Sequence, residues 1–165
     1  MKFAQSVLIA GVVALGACSS GGEKPGEAAP VQVDPSTLLP ARNVVPTGGL
    51  GPQQLLSKEC GLFLWNKTDA SQLIFFQKAQ SGSATMKIGA QTVTVSQTRN
   101  TGEIFGQFLT DQGFVGPAGE QVLVSIVPGD ELNGGQRVQS GRLTITTGER
   151  WTTVIPVLGV RACQP

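Results

Sequence analysis

Residues 61–66, Gly-Leu-Phe-Leu-Trp-Asn, decide the fold that the sequence predicts. Successive side chains of a strand point to opposite faces, so an extended run of this kind is apolar on both faces. A strand of this composition belongs at the centre of a sheet or beneath a covering segment. No convincing helix is predicted around it. The sequence therefore predicts a β domain whose first strand is residues 61–66.

Short runs separated by turn residues continue the pattern toward the C-terminus. Residues 84–88 alternate between apolar and polar side chains, which is typical of a half-buried strand, and they form a predicted hairpin with residues 92–96. Gly106 is interpreted as a bulge or a site of close approach within the next strand, and residues 128–130 (Pro-Gly-Asp) as the end of a later one. The predicted strands after the first are residues 72–78, 84–88, 92–96, 103–110, 121–127, 138–145 (broken around Gly141) and 151–158.

The N-terminus carries a different kind of signal. Residues 1–17 contain one cation, Lys2, followed by an apolar run and then small residues up to Cys18. The apolar run is too short to span a bilayer, which takes about 20 residues, and it suits the core of a signal peptide. Leu15-Gly16-Ala17-Cys18 resembles the lipobox of bacterial lipoprotein precursors.

This resemblance implies that residues 1–17 are removed and that Cys18 becomes the first residue and carries fatty acyl chains such as palmitate. A lipid membrane is then a partner, bound through acylated Cys18. Ser19 stands where an aspartate retains such proteins in the inner membrane. The resemblance thus implies a lipid-anchored protein of the bacterial outer membrane, with its domain facing the periplasm.

Residues 18–57 are predicted to be the lipidated cysteine and a disordered tether. Six of the ten prolines fall in this stretch and glycine is frequent. Such a segment buries too little apolar surface to offset the entropy of ordering. Val44-Val45 and Leu55-Leu56 are the positions at which it can dock on the domain. The β domain is assigned to residues 58–165.

Lipidation takes one of the three cysteines, Cys18. Cys60 and Cys163 remain, an even number in an exported chain whose compartment is oxidising. We predict a disulfide between them. The predicted fold class is all-β, a single antiparallel β-barrel or β-sandwich of about eight strands, closed by this disulfide between its first and last strands. The barrel is favoured because the bond would bring the two ends of the sheet together.

The composition excludes several kinds of chemistry. The chain has no histidine, which removes Ser-His and Cys-His catalysis and the commonest zinc sites. Twelve Lys and Arg residues face eleven acids, and loss of Lys2 leaves equal numbers, so there is no electrostatic footprint for nucleic acid. G-x-S-x-G and P-loop motifs are absent, and Asp130-Glu131 is interpreted as a polar hairpin loop rather than a calcium site. We predict no enzyme activity, no cofactor and no metal.

Four aromatic side chains are candidates for contact with a partner. Trp65 and Trp151 each lie near one end of the predicted disulfide in sequence, so burial together beside it is favoured. The alternative is exposure at a barrel mouth, where they would anchor a partner. Phe75 and Phe76 point to opposite faces of a strand, and one of them is expected to be exposed unless both faces are covered.

Three functional hypotheses follow. The first is a non-catalytic binding or structural module that binds envelope proteins or peptidoglycan. The second is a periplasmic inhibitor of a protease or lysozyme, since some such inhibitors are small disulfide-linked β-barrel lipoproteins to which this layout is similar. The third is a hydrolase that uses carboxylates or a Ser-Lys pair, for which no motif is found. We favour the first, and an exposed protruding loop would favour the second.

Overall fold

The computed structural model describes residues 43–165, which form one closed antiparallel barrel of eight strands. Each strand pairs with the next along the chain, and the last pairs with the first. The strands are β1 (Cys60–Asn66), β2 (Asp69–Lys78), β3 (Ser83–Ile88), β4 (Gln91–Phe105), β5 (Phe108–Val115), β6 (Gln121–Leu132), β7 (Gly135–Thr146) and β8 (Thr152–Cys163). The prediction of an eight-stranded all-β domain is confirmed, and of the two architectures the barrel is the one observed.

The closure between β1 and β8 is covalent as well as hydrogen-bonded. Cys60 and Cys163 are directly opposite each other in the ladder, and their sulfur atoms are 2.06 Å apart. The predicted disulfide between the first and last strands is therefore confirmed. Leu62 and Leu64 follow Cys60 on the inner face of β1 and are completely buried, as the apolar character of this strand predicts.

The interior of the barrel is filled by side chains that alternate inward along every strand. Aromatic rings from opposite walls meet there, and the centroids of the Phe75 and Phe114 rings are 5.5 Å apart in an edge-to-face arrangement. The largest fully buried side chains are Phe75, Phe105, Phe114, Leu62, Leu64, Ile74, Met86, Leu143 and Ile145. This packed apolar core is the main source of stability.

The predicted strand over residues 103–110 is wrong. Phe105 pairs with Phe108, so Gly106 and Gln107 form the two-residue turn of the β4–β5 hairpin. Gly106 has φ +61°. Two-residue hairpin turns need positive φ values, and glycine adopts them readily because it lacks a Cβ. The three-residue spacing of the two phenylalanines reflects a turn rather than a bulge.

The predicted end of a strand at residues 128–130 is also wrong. β6 continues through Pro128 to Leu132 with a register shift, and the turn falls at Asn133-Gly134. Pairing between β5 and β6 ends at Ser125, so Pro128 lies where β6 has an open edge, a position at which proline is tolerated. The irregularity predicted around Gly141 is present as a register shift between Val138 and Gly141 in the ladder with β8, although β7 itself runs continuously from Gly135 to Thr146.

Residues 43–57, here called the N-terminal strap, pack against the barrel although the sequence assigned them to the tether. Val44 is only 3% exposed, and its carbonyl accepts a hydrogen bond of 3.1 Å from the Gly89 N–H. The Leu50 N–H donates to the Leu73 carbonyl at 2.6 Å. The strap lies where β2 and β3 separate, because these strands pair only at Phe75–Met86 and Phe76–Thr85. The ordered domain thus begins at least fifteen residues before residue 58.

The up-and-down order of the strands gives the barrel two ends. The entry end is defined by the turns at residues 67–68, 89–90, 116–120 and 147–151, and the strap begins beside it at Asn43. The disulfide end is defined by the turns at residues 79–82, 106–107 and 133–134 and by the bond between Cys60 and Cys163.

Candidate partner-binding site

β4 extends well beyond its neighbour β3. The ladder between the two strands covers residues 91–96 of β4, and the Gln97 N–H still donates to the Gly82 carbonyl at 2.8 Å. Past this point no strand of the described part of the chain pairs with that side of β4. Residues 98–105 consequently present an open strand edge, whose backbone donors and acceptors are available for hydrogen bonds with another chain.

β5 is open on its other side over the same region. Its ladder with β6 begins at Asp111, which pairs with Ser125, so residues 108–110 have no partner in β6. Residues 98–110, here called the β4–β5 ribbon, therefore form a two-stranded hairpin with both edges free at the disulfide end. In a barrel, where closure otherwise removes strand edges, this ribbon is one of the places where edges stay open.

The side chains of the ribbon are unusually exposed. Every residue from 98 to 104 is exposed, and Ile104 is 82% exposed, the highest value among the large hydrophobic residues of the described chain. Arg99 and Glu103 place one charge of each sign on the same strand. Register shifts at residues 97–99 and 101–104 bend the strand, as β-bulges do.

Two phenylalanines and an arginine fix the ribbon to the barrel. Phe105 and Phe108 flank the turn and are both buried in the core. The Arg161 guanidinium lies 5.8 Å from the centroid of the Phe105 ring, and its Nη1 donates to the Gln107 side chain at 3.4 Å. A Cβ on Gly106 would lie 2.6 Å from Arg161 Cδ, so glycine permits this approach. The ribbon is thus a fixed element with an exposed outer surface.

A cleft of about 390 Å³ lies beside the ribbon, where β5 and β6 diverge. Asp111 stands at its edge, with its Oδ1 accepting 2.7 Å from the Ser125 hydroxyl and its Oδ2 accepting 3.1 Å from the Thr110 hydroxyl. Val127 and Arg142 line the same cleft and are exposed. An oriented carboxylate, a guanidinium and an apolar side chain are groups that suit recognition of a polypeptide segment.

The predicted burial of Trp65 with Trp151 is wrong. Trp65 points to the outer face of β1 and is half-buried, with its ring centroid 6.1 Å from that of Phe63. Trp151 lies in the turn before β8 at the entry end and is 62% exposed. The two tryptophans are separated because their positions in the strands differ, even though each is near a cysteine in sequence. Trp151 fits the alternative interpretation, an exposed ring at a barrel mouth.

Phe75 and Phe76 are both buried, so neither is placed to contact a partner. Phe75 points into the core. Phe76 points outward, but the Phe63 ring covers it at a centroid distance of 4.9 Å. Leu55 of the strap also lies over this face, since its Cδ2 and Phe76 Cε2 are each 3.0 Å from the position of a Cβ on Gly61. Both faces of the sheet are covered here, which is the condition under which neither ring is exposed.

Two residues of the ribbon site were not singled out from the sequence. Arg161 lies on the inner face of β8, two residues from Cys163, and the period of two along the strand was a signal that could have placed it there. Ile104 gave no usable signal, because the turn at Gly106-Gln107 was interpreted as the middle of a strand. When residues 103–110 are assigned to one continuous strand, the prediction misses that the residues before and after the turn pair with each other and have free outer edges.

Two carboxylates of the domain have pKa values below their ordinary range. Lys78 Nζ donates a 2.8 Å hydrogen bond to Glu59, which lowers the pKa of this carboxyl, and the Leu56 N–H donates to the same oxygen at 2.7 Å. The pKa of Asp69 is lowered by the Ser71 hydroxyl and backbone N–H, which both donate to its Oδ1. Asp69 braces a turn, and Glu59 braces the start of β1, where it also lines a small cleft with Lys78 and Gln107.

The predicted signal peptide 1–17, the lipidation site Cys18 and the tether up to residue 42 lie outside the described residues. Among residues 43–165, no three acidic or cysteine side chains converge as a metal site would require. The same part of the chain contains no helix long and apolar enough to cross a membrane. Comparison with protein families, curated proteins and solved structures finds no match to this chain.

Proposed function

We propose that this chain is a lipid-anchored lipoprotein of the bacterial outer membrane, and that its barrel is a non-catalytic module that binds an envelope partner through the β4–β5 ribbon. The lipobox-like sequence ending at Cys18 supports the anchor. The absence of histidine from the whole chain supports a binding role over catalysis. The open edge of residues 98–105 is the observation that carries the proposed binding mode.

An open strand edge binds a partner by adding a strand to the sheet. The main-chain groups of the edge supply the hydrogen bonds, and alternate side chains supply specificity. On β4 the exposed Ile104 gives an apolar contact, and Arg99 and Glu103, which precede it on the strand, give charged contacts. A protein segment in extended conformation is the partner that this surface fits, and an envelope protein supplies such a segment more readily than peptidoglycan glycan strands do.

The chain protects another of its open edges and leaves this one accessible. β6 beyond Ser125 carries Pro128, which has no N–H to donate and so discourages pairing at an edge. Residues 98–105 contain no proline, although their bulges restrict pairing to short segments. The contrast between the two edges directs the partner to β4.

Crosslinking in intact cells tests the binding site. A photoreactive amino acid at position 104 should trap a partner protein, whereas the same group at position 154, which is 58% exposed on β8, should trap little. Ile104→Lys should abolish the crosslinks formed from position 99, and Val154→Lys should leave them unchanged. Equal yields from positions 104 and 154, or no adduct from either, would remove the ribbon from the proposal.

Metabolic labelling with an alkyne fatty acid tests the anchor. The wild-type chain should be labelled and should fractionate with the outer membrane, and Cys18→Ser should be unlabelled. Label retained in Cys18→Ser, or an unlabelled wild-type chain, would rule out lipidation at Cys18. Either result would leave the ribbon experiment interpretable, because that experiment depends only on the barrel.

Inhibition of a protease or lysozyme is the second candidate function, and the exposure of the β4–β5 ribbon favours it. An inhibitor presents a fixed, protruding segment to the enzyme, and Ile104 beside a rigid turn has that character. Purified protein should then inhibit a lysozyme or a periplasmic protease at stoichiometric concentration, with Ile104→Lys relieving inhibition and Val154→Lys retaining it. Full enzyme activity in the presence of excess protein would exclude this candidate for the enzymes tested.

A further inference from the structure

The entry end of the barrel has two turns of small, uncharged residues, here called the smooth turns: Gly89-Ala90 and Gly116-Pro117-Ala118-Gly119. Its other two turns carry exposed charges, Lys67 in one and Glu149 and Arg150 in the other. Glu120 follows the second smooth turn and is only 4% exposed.

An exposed tryptophan, Trp151, also lies at the entry end. Trp151 closes the five-residue turn 147–151, and its carbonyl accepts a 2.9 Å hydrogen bond from the Thr147 N–H. The Arg150 N–H donates to the Thr147 carbonyl at 2.9 Å, and Arg150 has φ +65°. These bonds hold the turn in one conformation, with the Trp151 ring in solvent. Val154 on β8 and Val45 of the strap are further exposed apolar side chains toward the same end.

The chain also enters the barrel at this end. Asn43 lines a cleft of about 490 Å³ together with Ala90 and Ala118 of the two smooth turns. Twenty-four residues separate Asn43 from Cys18. A lipid on Cys18 would therefore hold the domain within reach of the bilayer, through the end at which the chain enters. Tethering of this kind raises the effective concentration of a weak contact to about 1 mM.

We infer that the entry end docks on the lipid headgroup region of the membrane, with Trp151 inserted at the interface. This inference rests on the proposed lipid anchor. A tryptophan ring with one apolar and one polar edge favours the boundary between headgroups and acyl chains. The β4–β5 ribbon, at the opposite end, then points away from the membrane toward its partner.

Tryptophan fluorescence tests this contact directly, because the chain has only two tryptophans. The full-length lipidated protein is reconstituted on vesicles of phosphatidylethanolamine and phosphatidylglycerol, some of them with brominated acyl chains that quench nearby tryptophan. In Trp65→Phe the remaining Trp151 emission should shift to shorter wavelength and lose intensity on brominated vesicles. In Trp151→Phe the remaining Trp65 emission should be quenched much less, because the Trp65 ring, although also near the entry end, is half-buried and packs 6.1 Å from the Phe63 ring.

Flotation of the vesicles separates the two ways in which the inference can fail. Protein that floats with the vesicles but shows no quenching of Trp151 overturns the docking and leaves the anchor intact. Wild-type protein that does not float overturns both. If Trp65→Phe does not fold, as judged by its melting curve, the quenched fraction of wild-type emission is compared with that of Trp151→Phe. Quenching that is undiminished without Trp151 contradicts the inference, and a marked decrease supports it.

Discussion

Gly159 lies where β8 passes very close to β1. A Cβ at this position would collide with the Phe63 carbonyl oxygen and lie 2.8 Å from Leu64 Cδ2. The two strands are locked in register by the Leu64–Gly159 pairing, so neither can move aside. We expect Gly159→Ala to destabilise the domain by about 2 kcal/mol or more, measured by chemical denaturation. Gly148→Ala is the matched control, since a Cβ there meets nothing within 4 Å; a similar loss in both variants would contradict the packing argument.

The bond between Glu59 and Lys78 predicts a dependence of stability on pH. Because folding lowers the pKa of Glu59 below its ordinary value of 4.5, its contribution to stability is present above that value and is lost as the pH falls through the folded pKa. Glu59→Gln should therefore melt at a lower temperature than wild type at neutral pH, and the two melting temperatures should converge in acid. The difference should be small and should decrease with salt, because the pair is partly exposed. A difference that persists at the lowest pH at which both fold would exclude this cause.

Among the elements, the pairing of β1 with β8 has the largest expected effect on stability. The disulfide joins residues that are 103 positions apart, and loop-closure theory gives about 4.7 kcal/mol for a loop of ~100 residues. The melting temperature of the variant Cys60→Ala/Cys163→Ala should be lower than that of wild type by on the order of 10 °C. A strong reductant should lower the melting temperature of wild type and leave that of the double variant unchanged. Equal melting curves for reduced and oxidised wild type would show that the hydrogen-bonded ladder alone closes the barrel.

A strand could be predicted correctly from the sequence where a local pattern of side chains defines it. Period-two alternation located β3, because Ala84, Met86 and Ile88 all point into one core. The turn at Gly106-Gln107 was missed because Phe105 and Phe108 beside it are both buried at the end of the barrel. Their apolar side chains therefore give the pattern of one continuous strand. The open edges of the β4–β5 ribbon could not be predicted at all. They depend on how far neighbouring strands are offset around the barrel, and no local pattern records that offset.

At the scale of the whole molecule, the two ends of the barrel have different surfaces and different connections. The chain enters at Asn43 beside the smooth turns, and the exposed β4–β5 ribbon lies at the disulfide end. The sequence indicated an anchor and a domain but not which side of the domain each faces, since this depends on the path of the strap. The strap crosses the outer wall from the Gly89 turn toward Glu59, and this path relates the two ends to one another.

The strap makes the folded unit larger than the barrel, and this predicts a difference between two shortened chains. A chain that begins at residue 43 should keep the melting temperature of the full domain. A chain that begins at residue 58 loses the buried Val44 and uncovers the outer face of β2 near Phe76, which should cost about 2 kcal/mol or more. Differential scanning calorimetry of both chains measures the loss.

Two point variants separate docking of the strap from a general effect of truncation. Val44→Asp should reproduce most of the loss, because it places a charge at a position that is only 3% exposed. Val45→Asp should be nearly neutral, because the adjacent side chain is exposed. If the chains that begin at residues 43 and 58 melt at the same temperature, the strap contributes nothing to folding. The domain would then begin at residue 58, the boundary predicted from the sequence, where the strand-like pattern begins.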